Sequence, residues 1–264
     1  MTPAGERRKT SLIIPAFNEE ARLARLFAVL AEEADRDLAQ AGLDYLEAVV
    51  VDDGSTDATS GLLAAAAASD DRVRPVLGRS HNRGKGAAIR DGVAVARGEL
   101  VLLVDVDLST PLSEVAELGR ALAESGAPVA IGSRDLPGSR VEAPLYRRVL
   151  GALFNLAVRI ATGLRYTDTQ CGFKLLETDV ARRLLADQIA EGFAFDVELL
   201  LRARLAGVEV VELPVSYVHD DRSKVRVPGA SLAMTRDLAR MSWRLRRSGR
   251  RARRTPRRAG ADPS

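Results

Sequence analysis

Two carboxylates stand one residue apart at the end of a strongly apolar run. Residues 100–104 are Leu, Val, Leu, Leu and Val, and Asp105, Val106 and Asp107 follow directly. A strand that is apolar on both faces is typical of a buried parallel sheet, so charges are expected where it leaves that sheet. Carboxylates spaced i, i+2 along a strand point the same way and can hold a hard divalent cation through oxygen. Such a cation usually completes its coordination with phosphate, which points to a diphosphate-containing substrate.

Two other apolar runs end in polar clusters as well. Residues 48–51 lead into Asp52 and Asp53, and residues 11–14 lead toward Asn18 and Glu19. Ligands of open α/β sheets bind at the carboxyl ends of the strands. A structural turn explains one such end well, but three at one edge indicate a binding site. Ser55 or Thr56 is expected to cap the helix that follows.

The elements that must position these residues alternate between strand and helix. Strands are predicted at 11–15, 47–52, 73–77, 100–105 and 128–132, and helices at 19–41, 56–68, 86–97 and 112–125. This alternation predicts an α/β fold with a doubly wound, mostly parallel sheet. Beyond residue 133 we predict helices at 144–163, 178–187 and 195–206, and strands at 172–176 and 208–217. A polar loop at 219–229 and a last helix at 230–247 complete the pattern.

Charge is distributed unevenly along the chain. Residues 1–243 contain 30 Lys and Arg against 35 Asp and Glu, a net of −5, whereas residues 244–264 contain nine Arg and one Asp, a net of +8. The acidic body, with no nucleic-acid motif, argues against a nucleic-acid partner. The single cysteine, Cys171, excludes a disulfide framework.

The sequence predicts neither a signal peptide nor a membrane span. Residues 1–9 are polar, and the longest apolar stretch, 149–164, is interrupted by Asn155 and Arg159. A span needs about 20 consecutive apolar residues. We therefore expect a protein that is not integral to a membrane.

Seven segments in order resemble the motifs of family 2 glycosyltransferases. They are residues 15–19 (PAFNE), 51–57 (VDDGSTD), 82–88 (NRGKGAA), 105–107 (DVD), 132–134 (GSR), 168–174 (DTQCGFK) and 193–200 (FAFDVELL). The last three resemble the dolichyl-phosphate β-glucosyltransferase branch, which is close to the polyprenyl-phosphate mannose synthases. The similarity covers about residues 10–245.

The resemblance implies a GT-A fold over residues 10–247, Rossmann-like with helices on both faces. Residues 10–132 would form the nucleotide-sugar half and 133–247 the acceptor half, between a flexible 1–9 and a disordered arginine-rich tail at 248–264. The implied enzyme is inverting and metal-dependent, and transfers a hexose from a nucleotide-diphosphate sugar to a polyprenyl or dolichyl phosphate. Glucose and UDP-glucose are favoured; the alternatives are a GDP-mannose-dependent synthase and a transferase with a soluble acceptor.

The resemblance also assigns residues to roles. Asp105 and Asp107 would hold Mg²⁺ or Mn²⁺, and the catalytic residues would be Asp107, Asp196, Arg134 and Lys224. Donor binding is expected from Pro15, Ala16, Asn18, Glu19, Asp52, Asp53, Lys85, Asp105 and Val106. Acceptor binding is expected from Ser133, Arg134, Arg148, Gln170 and Lys174.

For several residues and helices the sequence allows more than one role. Asp196 would act as a base toward a hydroxyl acceptor but would only position a lipid phosphate, which is already ionised. Gly84 and Gly86 would let the backbone approach the nucleotide. The apolar face of helix 144–163 would pack in the core or meet lipid. The last helix and the arginine tail would bind an anionic membrane surface on its cytoplasmic side, or would be solvated.

Overall fold

A seven-stranded sheet forms the centre of the protein. The structure is a computed structural model, and it describes residues 7–219. The strands are β1 (Arg8–Ala16), β2 (Leu43–Asp52), β3 (Val73–Val76), β4 (Leu100–Leu103), β5 (Val129–Ser133), β6 (Arg140–Glu142), β7 (Lys174–Glu177), β8 (Val210–Pro214) and β9 (Ser216–Val218). In the main sheet they lie in the order β3-β2-β1-β4-β7-β5-β8, and β6 pairs with β9 in a small second sheet.

Eight α-helices are present in the described part of the chain. They are α1 (Glu20–Glu32), α2 (Ala34–Gln40), α3 (Thr59–Ser69), α4 (Lys85–Val95), α5 (Val115–Ser125), α6 (Leu145–Thr162), α7 (Thr178–Leu185) and α8 (Phe195–Ala206). None of the helices within residues 7–219 has the length and apolarity needed to cross a bilayer.

The predicted mostly parallel α/β sheet is confirmed. Strands β1 to β4 pair in parallel, and so do β5 and β8, while β7 runs antiparallel between β4 and β5. Because β7 comes from the predicted acceptor half and β4 from the predicted donor half, the two halves share one sheet.

Burial on both faces of the sheet explains the apolar runs within β1, β2 and β4. In β1, Ile13 joins the core cluster formed with α4, α7 and α8, whereas Leu12 and Ile14 join the cluster formed with α1, α2 and α5. Successive strand residues point to opposite faces, so a strand segment covered on both sides favours apolar residues at successive positions.

The structure corrects several predicted boundaries. The predicted helix 19–41 is two helices that meet at Glu33, although no Gly or Pro lies at the break. Ala34 and Leu38 of α2 are fully buried, so packing of α2 against the core determines where the first helix ends. The predicted strand 208–217 is divided between β8 in the main sheet and β9 in the second sheet. The short strand β6 was not predicted, and β1 already includes residues 8 and 9 of the predicted flexible N-terminus.

Other predictions fall on residues 1–6 and 220–264, outside the described residues. They include Lys224, most of the polar loop 219–229, the last helix at 230–247 and the tail at 248–264.

Candidate active site

The predicted donor residues lie together at the carboxyl ends of β1, β2 and β4. Asn18 follows β1 with a backbone φ of 56°, a left-handed conformation that Asn tolerates better than most residues. Its backbone N–H donates to Ser55 Oγ at 2.9 Å, and its Oδ1 accepts from the N–H of Thr56 at 2.7 Å. Ser55 and Thr56 therefore tie β1 to β2, and the predicted helix cap is wrong: α3 begins only at Thr59.

Asp52 and Asp53 are both buried and both bonded within the protein. Asp52 accepts from the N–H of Ser55 at 2.9 Å and from the hydroxyl of Ser60. The carboxylate of Asp53 accepts from the N–H groups of residues 83 and 84 at 3.1 and 2.6 Å, and it pairs with Arg79. In this structure the two acids shape the loops around the site, and their contact with base or ribose stays a prediction.

The remaining donor residues near β1 lie at the same edge. Pro15 and Ala16 are the last residues of β1, and the carbonyl of Ala16 accepts from the N–H of Asp53 at 2.8 Å. Glu19 pairs with Arg22 at 2.7 Å. These residues lie at the carboxyl ends of the strands, as predicted. Their contact with a nucleotide-sugar donor stays a prediction.

Asp105 and Asp107 lie beyond β4, in a turn rather than on the strand. β4 ends at Leu103, and the N–H of Leu108 donates to the carbonyl of Asp105 at 3.0 Å. Leu108 has a backbone φ of 51°, which is rare for a bulky side chain and indicates local strain in this turn. The expected strand spacing is therefore wrong, but both carboxylates line one cleft, and Val106 between them is buried.

Lys85, at the start of α4, neutralises Asp105. Its ammonium lies 2.5 Å from Asp105 Oδ1. Desolvation works against both charges, but the carboxylates of Asp105 and Asp196 raise the pKa of Lys85, and Lys85 holds the pKa of Asp105 below its ordinary value. An ion pair thus lies beside the predicted metal position.

The side-chain oxygen atoms in the turn after β4 are suited to binding a hard divalent cation. Asp105, Asp107 and Ser109 line the same cleft. The Ser109 hydroxyl is buried and has no hydrogen-bond partner among the described residues. Carboxylate and hydroxyl oxygens suit Mg²⁺ or Mn²⁺. Residues 7–219 contain no cluster of three or more His, Cys, Asp or Glu side chains able to bind a metal.

Lys174 and Asp196 form a buried ion pair behind the cleft. The ammonium of Lys174 has no exposed surface and contacts Asp196 Oδ1 and the carbonyl of Cys171. Burial raises the pKa of Asp196, although Lys174 and Lys85 oppose that shift. The structure thus encloses the Lys174 ammonium beside Asp196, and its predicted contact with an acceptor stays a prediction. Asp196 does begin α8, as predicted, but it faces Lys174 rather than open solvent.

Arg134 lies on the opposite wall, held by Asp168. Its Nε and Nη2 donate to the two Asp168 oxygens at 2.6 and 3.0 Å, and its carbon Cζ lies 5.2 Å from the centre of the Tyr217 ring. Burial opposes the Asp168 charge, but Arg134 outweighs burial and keeps the pKa of Asp168 low. Glu212 in turn accepts from the N–H of Asp168 at 2.8 Å.

The other predicted acceptor residues are distributed around Arg134. Gln170 lines the cleft, and Ser133 ends β5 with a buried hydroxyl that has no hydrogen-bond partner within residues 7–219. Arg148 is exposed on α6. Burial and the charge of Asp168 raise the pKa of nearby Asp135, and Arg148 partly opposes that rise.

Some residues of the site were missed by sequence reasoning. Ser109 lies two residues beyond the carboxylate pair, so the motif pointed close to it. Gly172 was within a quoted motif, but its importance depends on contact with Asp105, 67 positions away along the chain. Tyr217 and Glu212 come from β9 and β8, and their sequence gives no signal of a contact with Arg134 and its partner.

The glycines next to Lys85 serve packing within the protein. A Cβ at Gly84 would lie 3.0 Å from Gly192, closer still to the Glu191 carbonyl, and one at Gly86 would clash with Phe195 and Ala190. The segment 188–195 therefore approaches the start of α4 closely. This segment requires glycine at both positions, and the approach of a nucleotide to residues 84–86 stays a prediction.

Sequence comparison identifies relatives that span most of this chain. The profile of Glycosyl transferase family 2 matches residues 11–185. Dolichyl-phosphate beta-glucosyltransferase of Mus musculus is 33% identical over 271 residues, covering 91% of this chain and 79% of the relative. The Homo sapiens protein of that name is 34% identical over 247 residues, covering 88% and 74%.

Solved structures share the fold at low sequence identity. Glucosyl-3-phosphoglycerate synthase from Mycobacterium tuberculosis, in complex with Mn²⁺, UDP and glucosyl-3-phosphoglycerate, aligns with a TM-score of 0.61 at 19% identity, covering 89% of this chain and 80% of that one. Its complex with Mn²⁺, UDP-glucose and phosphoglyceric acid gives a TM-score of 0.62. These alignments confirm the predicted GT-A fold.

Proposed function

Because this chain belongs to glycosyl transferase family 2, we propose that it transfers glucose from UDP-glucose to a polyprenyl or dolichyl phosphate, with inversion at the anomeric carbon. The names of its relatives support glucose and a dolichyl phosphate acceptor. The neighbouring structures that contain UDP and Mn²⁺ are consistent with a uridine donor and a divalent metal.

One observation favours an acceptor phosphate over an acceptor hydroxyl. Among the described residues that line the cleft, Asp105 and Asp107 are the only carboxylates, and no histidine is present. Asp196 is paired with Lys174 and Asp168 with Arg134, so neither is available as a base. A hydroxyl nucleophile needs a base, whereas a phosphate is already ionised near neutral pH.

The two walls of the cleft would have different roles in the reaction. A Mg²⁺ or Mn²⁺ ion held by Asp105 and Asp107 would stabilise the charge that develops on the leaving diphosphate. Arg134 holds a positive charge on the other wall, and Asp168 and Tyr217 fix its orientation. An oxygen of the acceptor phosphate attacks the anomeric carbon while the bond from that carbon to the nucleotide diphosphate breaks on the opposite face.

We propose that the enzyme works as a peripheral protein on the cytoplasmic face of a membrane, because its acceptor resides in a bilayer. The predicted roles of Lys224 and of the basic C-terminal residues belong to this proposal too. Two alternatives remain, a GDP-mannose donor and a soluble acceptor, and the assay must distinguish each of them from transfer of glucose to a lipid phosphate.

The assay compares donors and acceptors directly. UDP-glucose and GDP-mannose are each offered with a short, water-soluble polyprenyl phosphate, with the matching polyprenol, and with phosphoglyceric acid. We expect glucosyl transfer to the lipid phosphate alone, abolished by excess chelator. Transfer to the polyprenol or to phosphoglyceric acid, or transfer only from GDP-mannose, would refute the corresponding part of the proposal.

The carboxylate pair is tested in the same assay. Asp107→Asn keeps the shape of the side chain but removes its charge, and we expect at least about 100-fold lower turnover, as for the loss of a major electrostatic stabiliser. Asp179→Asn, at a side chain that is 90% exposed on α7, is the matched control and should keep full turnover.

A further inference from the structure

Helix α6 presents a wide apolar face to solvent. Of the α6 side chains that the structure describes, only Asn155 and Val158 are buried. Six apolar side chains are between 46% and 76% exposed: Leu145, Val149, Leu150, Leu153, Leu156 and Ile160. Most of them recur every three or four residues and so form one stripe along the helix. Monomeric proteins rarely leave an apolar patch of this kind uncovered.

The charges on this helix have a single sign. Residues 145–162 contain three Arg and neither Asp nor Glu. Arg148 and Arg159 are exposed, and their helical positions lie at the border between the apolar stripe and the buried line of α6. An apolar stripe bordered by arginines is typical of a helix that lies in the interface of a lipid bilayer.

Charge also discriminates between the possible occupants of this face. A second copy of α6 would bring another three arginines against the first three. Residues 230–247 of this chain contain five Arg and one Asp, so they carry the same sign as α6. A bilayer with anionic headgroups has the opposite charge and provides an apolar interior at the same surface.

The exposed face belongs to a helix that is attached to the wall of the cleft. Asn155 Oδ1 accepts from Thr169 Oγ1 at 3.0 Å, and Thr169 lies between Asp168 and Gln170. Helix α6 begins eleven residues after Arg134. A bilayer in contact with α6 would therefore lie next to the proposed acceptor site.

We propose that the outer face of α6 docks this enzyme on an anionic lipid bilayer, with its leucines in the acyl region and its arginines at the headgroups. The inference rests on the proposed function for the lipid acceptor, and it names the surface that the protein uses to reach it.

Vesicle sedimentation tests the docking surface. The full chain and the variant Leu153→Ser/Leu156→Ser/Ile160→Ser are mixed with vesicles of phosphatidylglycerol and phosphatidylcholine. We expect at least about tenfold weaker binding for the variant, because three apolar side chains no longer leave water. The control Leu62→Ser/Val95→Ser/Leu205→Ser replaces three exposed apolar side chains on other helices and should bind like the native chain. Equal binding of both variants would overturn the proposal.

Activity separates this proposal from the proposed function. On the short soluble acceptor without vesicles, both triple variants should match the native chain, whereas on a long-chain polyprenyl phosphate in vesicles only the α6 variant should lose activity. A native chain inactive on both acceptors would refute the function. Activity on both that is unaffected by the α6 changes would refute only the docking surface.

Two further measurements exclude the other occupants. The single tryptophan, Trp243, reports on the C-terminal part of the chain, so its emission in vesicle-free solution should be the same in native and α6-variant proteins. A changed emission would assign the face to that part of the chain. Light scattering should show native protein as a monomer at micromolar concentration; a dimer that the α6 changes dissociate would assign the face to a second copy.

Discussion

At the scale of single residues, Gly172 leaves room for the contact between Lys85 and Asp105. A Cβ at this position would lie 3.0 Å from the Lys85 ammonium and closer still to the Asp105 carboxylate. Gly172→Ala should therefore displace the pair and lower kcat/KM at least about tenfold, while the fold remains. Gly61→Ala, on α3 with open space around it, is the control and should be neutral or slightly stabilising. Native activity in Gly172→Ala would show that this ion pair is dispensable.

Glu47 is a fully buried carboxylate at the other end of the sheet, away from the cleft. It accepts from Ser11 Oγ at 2.8 Å, from Arg74 at 2.6 Å, and from both the backbone and side chain of Arg97 at 2.8 Å. Burial raises the pKa of Glu47, but these hydrogen bonds outweigh it and leave the pKa below its ordinary value. The charged form of Glu47 therefore stabilises the fold.

The sign of its pH dependence follows from the lowered pKa. The stabilisation from Glu47 is complete above the carboxyl pKa of the unfolded chain, about 4.3, and is lost as pH falls through the lower pKa of the folded state. Glu47→Gln should lower the free energy of unfolding at pH 7 by about 3 kcal/mol, as when one partner of a buried pair is removed. Its unfolding should also depend less on pH below about 4.3 than that of the native chain.

Urea unfolding at several pH values measures both effects. Glu117→Gln is the matched control, because Glu117 pairs with Arg120 on the surface, and it should change stability by less than about 1 kcal/mol. A Glu47 variant as stable as this control would mean that the buried cluster contributes nothing.

At the scale of elements, the segment between α7 and α8 supports the start of α4. Buried Glu198 accepts from the N–H of Ile189 at 2.9 Å and from that of Ala190 at 2.7 Å. The carbonyl of Glu191 then accepts from the N–H of Ala87 at 3.0 Å. Helix α8 thereby positions the turn that presents Lys85 to Asp105.

Glu198→Gln should loosen that segment without unfolding the sheet. Glu198 Oε2 accepts from both N–H groups, whereas Oε1 accepts from Arg202 Nε at 2.6 Å, so the Gln amide can satisfy only one of these two sides and turns its NH₂ group toward donors on the other. An unsatisfied buried group costs about 1–3 kcal/mol. Hydrogen exchange should accelerate at residues 187–195 and in the first turn of α4, while β1 stays protected. Glu124→Gln, exposed on α5, should leave the exchange pattern unchanged. Acceleration throughout the sheet would contradict a local role for Glu198.

Sequence patterns predicted the elements whose signals are local. The apolar runs of β1, β2 and β4 and the polar residues after them were identified correctly, because strand segments buried on both faces are mostly apolar and charges gather where the strands leave the sheet. The break at Glu33, the division at Val215 and the place of β7 between β4 and β5 depend on tertiary packing. The same is true of the site: Asp105 and Asp107 were predictable, whereas the pairing of Arg134 with Asp168 and the burial of Lys174 required the fold.

At the scale of the whole molecule, charge is separated along the chain. The body up to residue 243 sums to −5 and the last 21 residues to +8. An acidic body is repelled by anionic lipid at long range, while arginines near such a surface each contribute about 1 kcal/mol. Exposed charges are screened beyond about 10 Å at 0.1 M salt, so the attraction between residues 244–264 and anionic lipid should depend strongly on salt. Contact through the apolar face of α6 should not.

Deleting residues 244–264 separates these two contributions to vesicle binding. The deletion changes the net charge from +3 to −5 and leaves every predicted donor residue in place. The shortened chain should bind anionic vesicles more weakly at low salt, lose most of its salt dependence, and bind UDP-glucose as the full chain does in calorimetry. The α6 triple-serine variant should show the opposite pattern: weaker binding at every salt concentration, with the salt dependence retained. If both proteins lost the same salt-dependent part, the tail and α6 would act as one electrostatic surface, and the apolar contact assigned to α6 would be wrong.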